Sequence, residues 1–167
     1  MHMTGRRRSI RLRDYDYSTP GAYFVTICTA GREPILWIPR FRDIVNGAWT
    51  ELSQLLPTLE LDDMVIMPDH VHFVVWLLDA SGSAAQGASR RAPTLADVVR
   101  AFKGDAARRI NQLRQAPGAP IWQRNYYEHI VRNARELERI REYIRDNPHM
   151  AHGHDDGEDV AKGWAAT

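Results

Sequence analysis

The sequence predicts an α+β domain: a four-stranded antiparallel sheet built on a split β-α-β frame, with one extra helix at its C-terminal end. Three observations carry this prediction. β-branched and aromatic runs alternate with helix-period segments in the order β-α-β-β-α-β-α. The second and third of these strands are joined by Pro68-Asp69 alone, which leaves room only for a hairpin. The length of 167 residues, 44% hydrophobic and 26% charged, suits a single globular domain rather than a disordered or collagen-like chain.

The first strand is predicted over 22–29, where Ala22-Tyr-Phe-Val-Thr-Ile-Cys-Thr29 lies between Pro20-Gly21 and Gly31. A helix follows over 41–56, with Ile44, Ala48, Leu52 and Leu55 at helical spacing and Pro57 as its stop. Strands are expected at 59–67 and 70–78; the second of these, HVHFVVWLL, is apolar enough to be central. Residues 79–93 are small, polar and Gly-rich, as in a flexible loop. Thr94 with Asp97 opens a helix whose stripe is Leu95, Val98, Val99, Phe102, Ala106, Ile110 and Leu113. A fourth strand is expected over 121–131. Asn133 caps the last helix, and Asn147-Pro148 is expected to end it. The first six elements in this order define a ferredoxin-like arrangement with helices on one sheet face, and the seventh must pack somewhere against that frame.

The near-neutral net charge of +1 hides a segregated pattern. Residues 6–13 hold five arginines and no acid, and residues 90–114 hold seven basic residues against Asp97 and Asp105. Residues 51–80 hold six acids and no base, and the segment after Met150 is acidic again. Basic segments of this kind suit phosphate. No apolar run approaches the roughly 20 residues of a membrane span. The N-terminal segment lacks a secretory h-region, and Cys28 stands alone, so a reduced cytoplasmic setting is expected.

Two features could carry chemistry. His70 and His72 flank Val71 in a strand, so both imidazoles leave the same face and can share one divalent ion. Two ordinary, hydrogen-bonded histidines fit the same pattern. Asp62, Asp63, Asp69 and Asp79 lie near them in sequence. In the last helix Leu137, Ile140 and Ile144 mark the buried stripe, which puts Glu136, Tyr143 and Asn147 together on its flank. Tyr126 and Tyr127, adjacent in a strand, must face opposite ways; His129 shares the face of Tyr127. One of the two tyrosines fits the core, and the other could stack on a base. His149, His152 and His154 are expected to be exposed beyond the last helix.

In combination these motifs are more specific. Met67-Pro68-Asp69-His70-Val71-His72, then Trp122-Gln123-Arg124-Asn125-Tyr126-Tyr127-Glu128-His129, then Tyr143-Ile-Arg-Asp-Asn147-Pro148, resemble the IS200-like single-tyrosine HUH transposases, and most closely their REP-associated branch. The resemblance covers roughly residues 10–150. It implies that His70 and His72 are metal ligands, Tyr143 the nucleophile and Asn147 the third ligand; many relatives outside this branch have Gln at that last position. It implies Mg²⁺ or Mn²⁺ as cofactor, single-stranded or hairpin DNA as partner, and a 5′-phosphotyrosine intermediate beside a palindromic hairpin. The expected state is a monomer or homodimer in a prokaryotic cytoplasm, associated with the nucleoid. Arg100, Lys103 and Arg114, on the polar side of their helix, would track the DNA backbone. Arg6, Arg7, Arg8, Arg11 and Arg13 would form a DNA-reaching arm within residues 1–20. Residues 21–150 would form the catalytic domain, and residues 151–167 an acidic flexible tail. The rival readings are a noncatalytic hairpin DNA- or RNA-binding module on the same fold and a small H-x-H hydrolase.

Overall fold

The computed structural model describes residues 19–79 and 92–150, the last three as backbone only. The arm residues Arg6, Arg7, Arg8 and Arg11, most of the expected loop, and the segment after Met150 lie outside them.

Strand β1 (Gly21–Cys28) leads through two short 3₁₀ turns (Ala30–Arg32 and Ile35–Trp37) into helix α1 (Pro39–Leu55). Strands β2 (Leu59–Ile66) and β3 (His70–Leu77) form the hairpin, and helix α2 (Leu95–Leu113), strand β4 (Tyr127–Val131) and helix α3 (Ala134–Met150) complete the order. The four strands form one sheet in the order β2-β3-β1-β4, and every pairing is antiparallel. This is the ferredoxin-like frame that the element order predicts.

The period-2 alternation of the strands divides the molecule into two apolar layers. Tyr23, Val25, Ile27, Val71, Phe73 and Val75 face α1 and α2, where Phe73 meets Trp49 and Phe102 with ring centroids 4.9 and 5.6 Å apart. Ala22, Phe24, Val65, Val74 and Tyr127 face the other way and are covered by Leu137, Ile140 and Ile144 of α3. The first two helices therefore share one face of the sheet and the extra helix closes the opposite one.

Several local expectations change. In α1 the buried stripe is Phe41, Val45, Ala48, Trp49 and Leu52, while Leu55 is exposed. Rotating the helix this way buries the Trp49 indole, a larger apolar gain than Leu55 offers. The fourth strand starts at Tyr127 rather than at residue 121; upstream, only Trp122 bridges to Thr29. The carbonyls of Gln123 and Arg124 accept from the Lys103 ammonium at 2.6 and 3.2 Å, which draws this stretch toward α2. Helix α3 continues through Asn147-Pro148 to Met150. Proline's fixed φ is compatible with a helix, and its missing N–H costs the last turn one hydrogen bond. The predicted capping box on α2 is present: the Thr94 hydroxyl accepts from the Asp97 amide, and the Asp97 carboxylate accepts from the Thr94 amide.

Candidate active site

The site lies on the α3 side of the sheet, at the end of β3 where the hairpin turn delivers the chain into the centre of the sheet. Strand alternation puts both imidazoles on this side, and both are buried. Their Nε2 atoms face each other at hydrogen-bond distance, 3.1 Å. Each ring is oriented from behind. His70 Nδ1 lies 2.6 Å from Asp69 Oδ1, and His72 Nδ1 lies 2.8 Å from Thr26 Oγ1. Thr26 is the direct cross-strand partner of His72 on β1, which is why its hydroxyl reaches that ring. Phe24, two residues earlier on the same face, stacks on the His72 ring at 5.5 Å and 22°. Burial, with the neighbouring His70 and Arg32 acting in the same direction, holds His72 well below the usual imidazole range, so this ring is neutral.

Helix α3 brings the second half of the site. Its buried stripe fixes its rotation, and Tyr143, half-buried, projects from the flank. The phenol oxygen is 3.2 Å from His72 Nε2, and the Tyr143 ring meets His72 and Phe24 edge-on at 5.3 and 6.4 Å. Asn147, one turn further on, is buried, and among the described residues neither atom of its carboxamide has a hydrogen-bond partner. A buried amide without partners costs about 1–3 kcal/mol. Helix α3 is held down by ion pairs to β2. The Arg141 guanidinium donates to both oxygens of Asp62 at 2.9 and 2.6 Å, and Arg145 donates to Asp63 at 3.1 Å.

The remaining candidates are used otherwise. Glu136 turns away from Tyr143: its carboxylate lies 2.7 Å from His129 Nε2 and accepts from the Arg132 amide at 2.7 Å. Tyr126 and Tyr127 do face opposite layers, and burial pushes the Tyr127 phenol up to about 12, which makes it a poor nucleophile. Asp62 and Asp63 serve Arg141 and Arg145 rather than an ion. Among the described residues no cluster of three or more His, Cys, Asp or Glu side chains is arranged to hold a metal. Arg100, Lys103 and Arg114 are not brought to the imidazoles: α2 lies on the other face of the sheet. Lys103 departs most from expectation. Its half-buried ammonium is bound by two carbonyls, and burial lowers its pKa, which makes it a strut more than a free cation. Arg100 is exposed and paired with Asp97, and Arg114 is exposed and donates to Asn111.

Sequence reasoning missed Thr26, Arg32 and Arg141. Their roles depend on strand register and on the contact between α3 and β2, which a lone sequence does not display. Asp69, read from the sequence as one of four nearby acids, is in the structure the direct partner of His70.

No protein-family model matches the chain. A Haemophilus influenzae protein named only "uncharacterized protein" is 31% identical over 166 residues, spanning 85% of this chain and 88% of its own length. Another H. influenzae protein, named "putative REP-associated tyrosine transposase", is 27% identical over 150 residues, or 89% of this chain and 80% of that protein. A solved structure of a REP-associated tyrosine transposase bound to a REP hairpin shares the fold, with a TM-score of 0.62 at 21% identity over 93% of this chain and 87% of that one. Among the described residues no helix is long and apolar enough to cross a membrane. In sequence the chain is thus similar to a putative REP-associated tyrosine transposase, and in fold to a solved REP-associated tyrosine transposase.

Proposed function

We propose that the protein cuts and rejoins single-stranded DNA beside a palindromic hairpin, with Tyr143 as the nucleophile and His70, His72 and Asn147 as the ligands of a divalent ion. The observation that carries this reading is the meeting of the Tyr143 hydroxyl with the paired imidazoles: 3.2 Å from His72 Nε2, which is itself 3.1 Å from His70 Nε2. The donor set fits a metal. Both Nδ1 atoms are engaged from behind by Asp69 and Thr26, the Nε2 atoms face each other and the Tyr143 hydroxyl, and the Asn147 carboxamide offers a hard oxygen. Imidazole with carboxamide oxygen suits Mn²⁺ or Mg²⁺. Such an ion, when bound, polarises a phosphate oxygen and offsets the charge that builds up in the transition state.

The chain's own residues supply the rest. A phenol ionises near 10, so Tyr143 attacks only if it is well aimed and its target is activated. The His72 and Phe24 rings hold the Tyr143 ring edge-on, and the α3 ion pairs hold its backbone. The phenol oxygen forms a bond to phosphorus and releases its proton to water, because the side chain is only half-buried. The bond from phosphorus to the 3′ oxygen breaks, and that oxygen leaves as a 3′-hydroxyl after taking up a proton. The 5′-phosphotyrosine conserves the bond energy, so a new 3′-hydroxyl can reverse the step and join different ends without ATP. Hairpin DNA as the partner is supported by the hairpin bound to the structural relative. Exposed Arg100 and Arg114 would engage its phosphates away from the cutting site.

The test is denaturing electrophoresis of the protein with a labelled single-stranded oligonucleotide carrying an imperfect palindromic hairpin and single-stranded flanks, with Mn²⁺. A protein-linked label that vanishes in Tyr143→Phe supports the reading. Tight binding with no adduct makes the protein a hairpin-binding module instead, and cleavage with no adduct makes it a hydrolase.

A further inference from the structure

The proposed metal site rests on two imidazoles, and the structure shows what aims the first of them. At the end of β1 the chain enters the left-handed region at two successive residues, Gly31 (φ +63°) and Arg32 (φ +58°). This conformation is uncommon for a non-glycine residue and persists where the surroundings over-determine it. Here they do. The Thr29 amide donates to the Asp69 carbonyl at 2.8 Å, and the Thr29 hydroxyl lies 3.0 Å from the same oxygen. The Leu36 amide donates to the Pro68 carbonyl at 2.9 Å. The turn after β1 is thereby fastened to the β2–β3 hairpin turn as one block.

Within that block three charged or polar side chains stand in line. Arg32 Nε lies 3.2 Å from Asp69 Oδ2, and Asp69 Oδ1 lies 2.6 Å from His70 Nδ1. A carboxylate only accepts, so His70 Nδ1 carries a proton, and in the neutral ring the ligand nitrogen is then Nε2, which lies 3.1 Å from His72 Nε2. Asp69 approaches the nitrogen remote from His72, so it acts through the ring rather than on the ion.

We propose that Asp69, itself oriented by Arg32, is a positioning residue that locks His70 in the Nδ1-protonated tautomer and so prepares its Nε2 for a divalent ion. This rests on the reading of His70 as a metal ligand. The chain sets up the ligand before any ion arrives, and the left-handed backbone at Arg32 is what brings its guanidinium to the Asp69 carboxylate.

Two measurements on the full-length, metal-free protein test it. Long-range ¹H–¹⁵N spectra report the His70 tautomer without metal, and titration of the Mn²⁺ electron paramagnetic resonance signal reports affinity. Wild type is expected to show Nδ1–H on His70. Asp69→Ala should lose that single tautomer and weaken Mn²⁺ binding about 10–100-fold, with hairpin-oligonucleotide affinity unchanged. Asp69→Asn, which can still accept from Nδ1, should recover part of the affinity. Arg32→Met should weaken binding by less than Asp69→Ala. The inference is overturned if Asp69→Ala keeps both tautomer and Mn²⁺ affinity, or if Asn fails to rescue and the melting temperature falls with it. If wild type binds Mn²⁺ no better than His70→Ala while the tautomer still depends on Asp69, the metal reading has failed and the positioning inference falls with it.

Discussion

Removing the Arg141 guanidinium should loosen α3 from the sheet and, with it, Tyr143, the proposed nucleophile two residues on. Arg141→Met keeps the apolar stem and deletes the two parallel hydrogen bonds to Asp62, at 2.9 and 2.6 Å. A charge-assisted hydrogen bond contributes about 1.5–3 kcal/mol net when desolvated. Asp62 is 9% exposed but Arg141 is 30% exposed, so solvent screens part of the pair. Asp62 also keeps the Trp76 indole at 2.8 Å and the Asp63 amide at 2.9 Å. The loss is therefore placed at about 2 kcal/mol, which for a chain of this size lowers the melting temperature by roughly 4–8 °C. The effect should depend on pH in a definite sense. Burial opposes ionisation of Asp62, yet Arg141, Trp76 and the Asp63 amide outweigh it and hold the carboxyl below its ordinary range. A carboxyl depressed in the folded state stabilises fully above its unfolded value, near 3.9, and loses that contribution as pH falls through the folded value. The gap between wild type and Arg141→Met should thus be full at pH 7 and shrink below about pH 4. Thermal and urea unfolding of Arg141→Met, Asp62→Ala and the double variant read this directly. A melting temperature within 1 °C of wild type, or additive single effects in the cycle, would refute the clamp. With the clamp real, adduct yield on a hairpin oligonucleotide should fall alongside stability.

Further outcomes follow from the same geometry. His70→Ala and His72→Ala should each abolish Mn²⁺-dependent cleavage while hairpin affinity stays near wild type, as measured by gel shift beside the cleavage assay. Lys103→Met should destabilise by about 1 kcal/mol, because the Gln123 carbonyl, which is part-buried, and the exposed Arg124 carbonyl lose a cationic donor, and urea unfolding should show it. Arg114→Ala should leave stability unchanged and lower the salt slope of DNA binding by about 0.7–1; an unchanged slope makes Arg114 ordinary surface.

The frame was legible because its signals are local. The Pro68-Asp69 hairpin link, the apolar run of β3 and the Thr94/Asp97 capping box each depend on neighbours in sequence, and each stands where expected. The pairing of His70 with His72 was legible for the same reason, since strand period alone puts i and i+2 on one face. The meeting of Tyr143 with that face was conditional on where α3 packs, and the stripe Leu137, Ile140 and Ile144 gave its rotation but not its partner. What the sequence hid was cross-strand and cross-layer. Thr26 reaches His72 only through the β1–β3 register, Asp62 finds Arg141 only across layers, and Lys103 looked like a surface cation until residues 123–124 folded over it. The α1 stripe was misread because helical spacing admits two adjacent faces, and the size of Trp49 decided between them.

The measurement that most directly tests the central claim is the location of the covalent bond. After reaction with a hairpin oligonucleotide and Mn²⁺, nuclease trimming and trypsin digestion, tandem mass spectrometry should find the nucleotide mass on the peptide Glu142-Tyr143-Ile144-Arg145, in which Tyr143 is the sole tyrosine. Modification of the peptide spanning 125–132, which carries Tyr126 and Tyr127, would contradict the account.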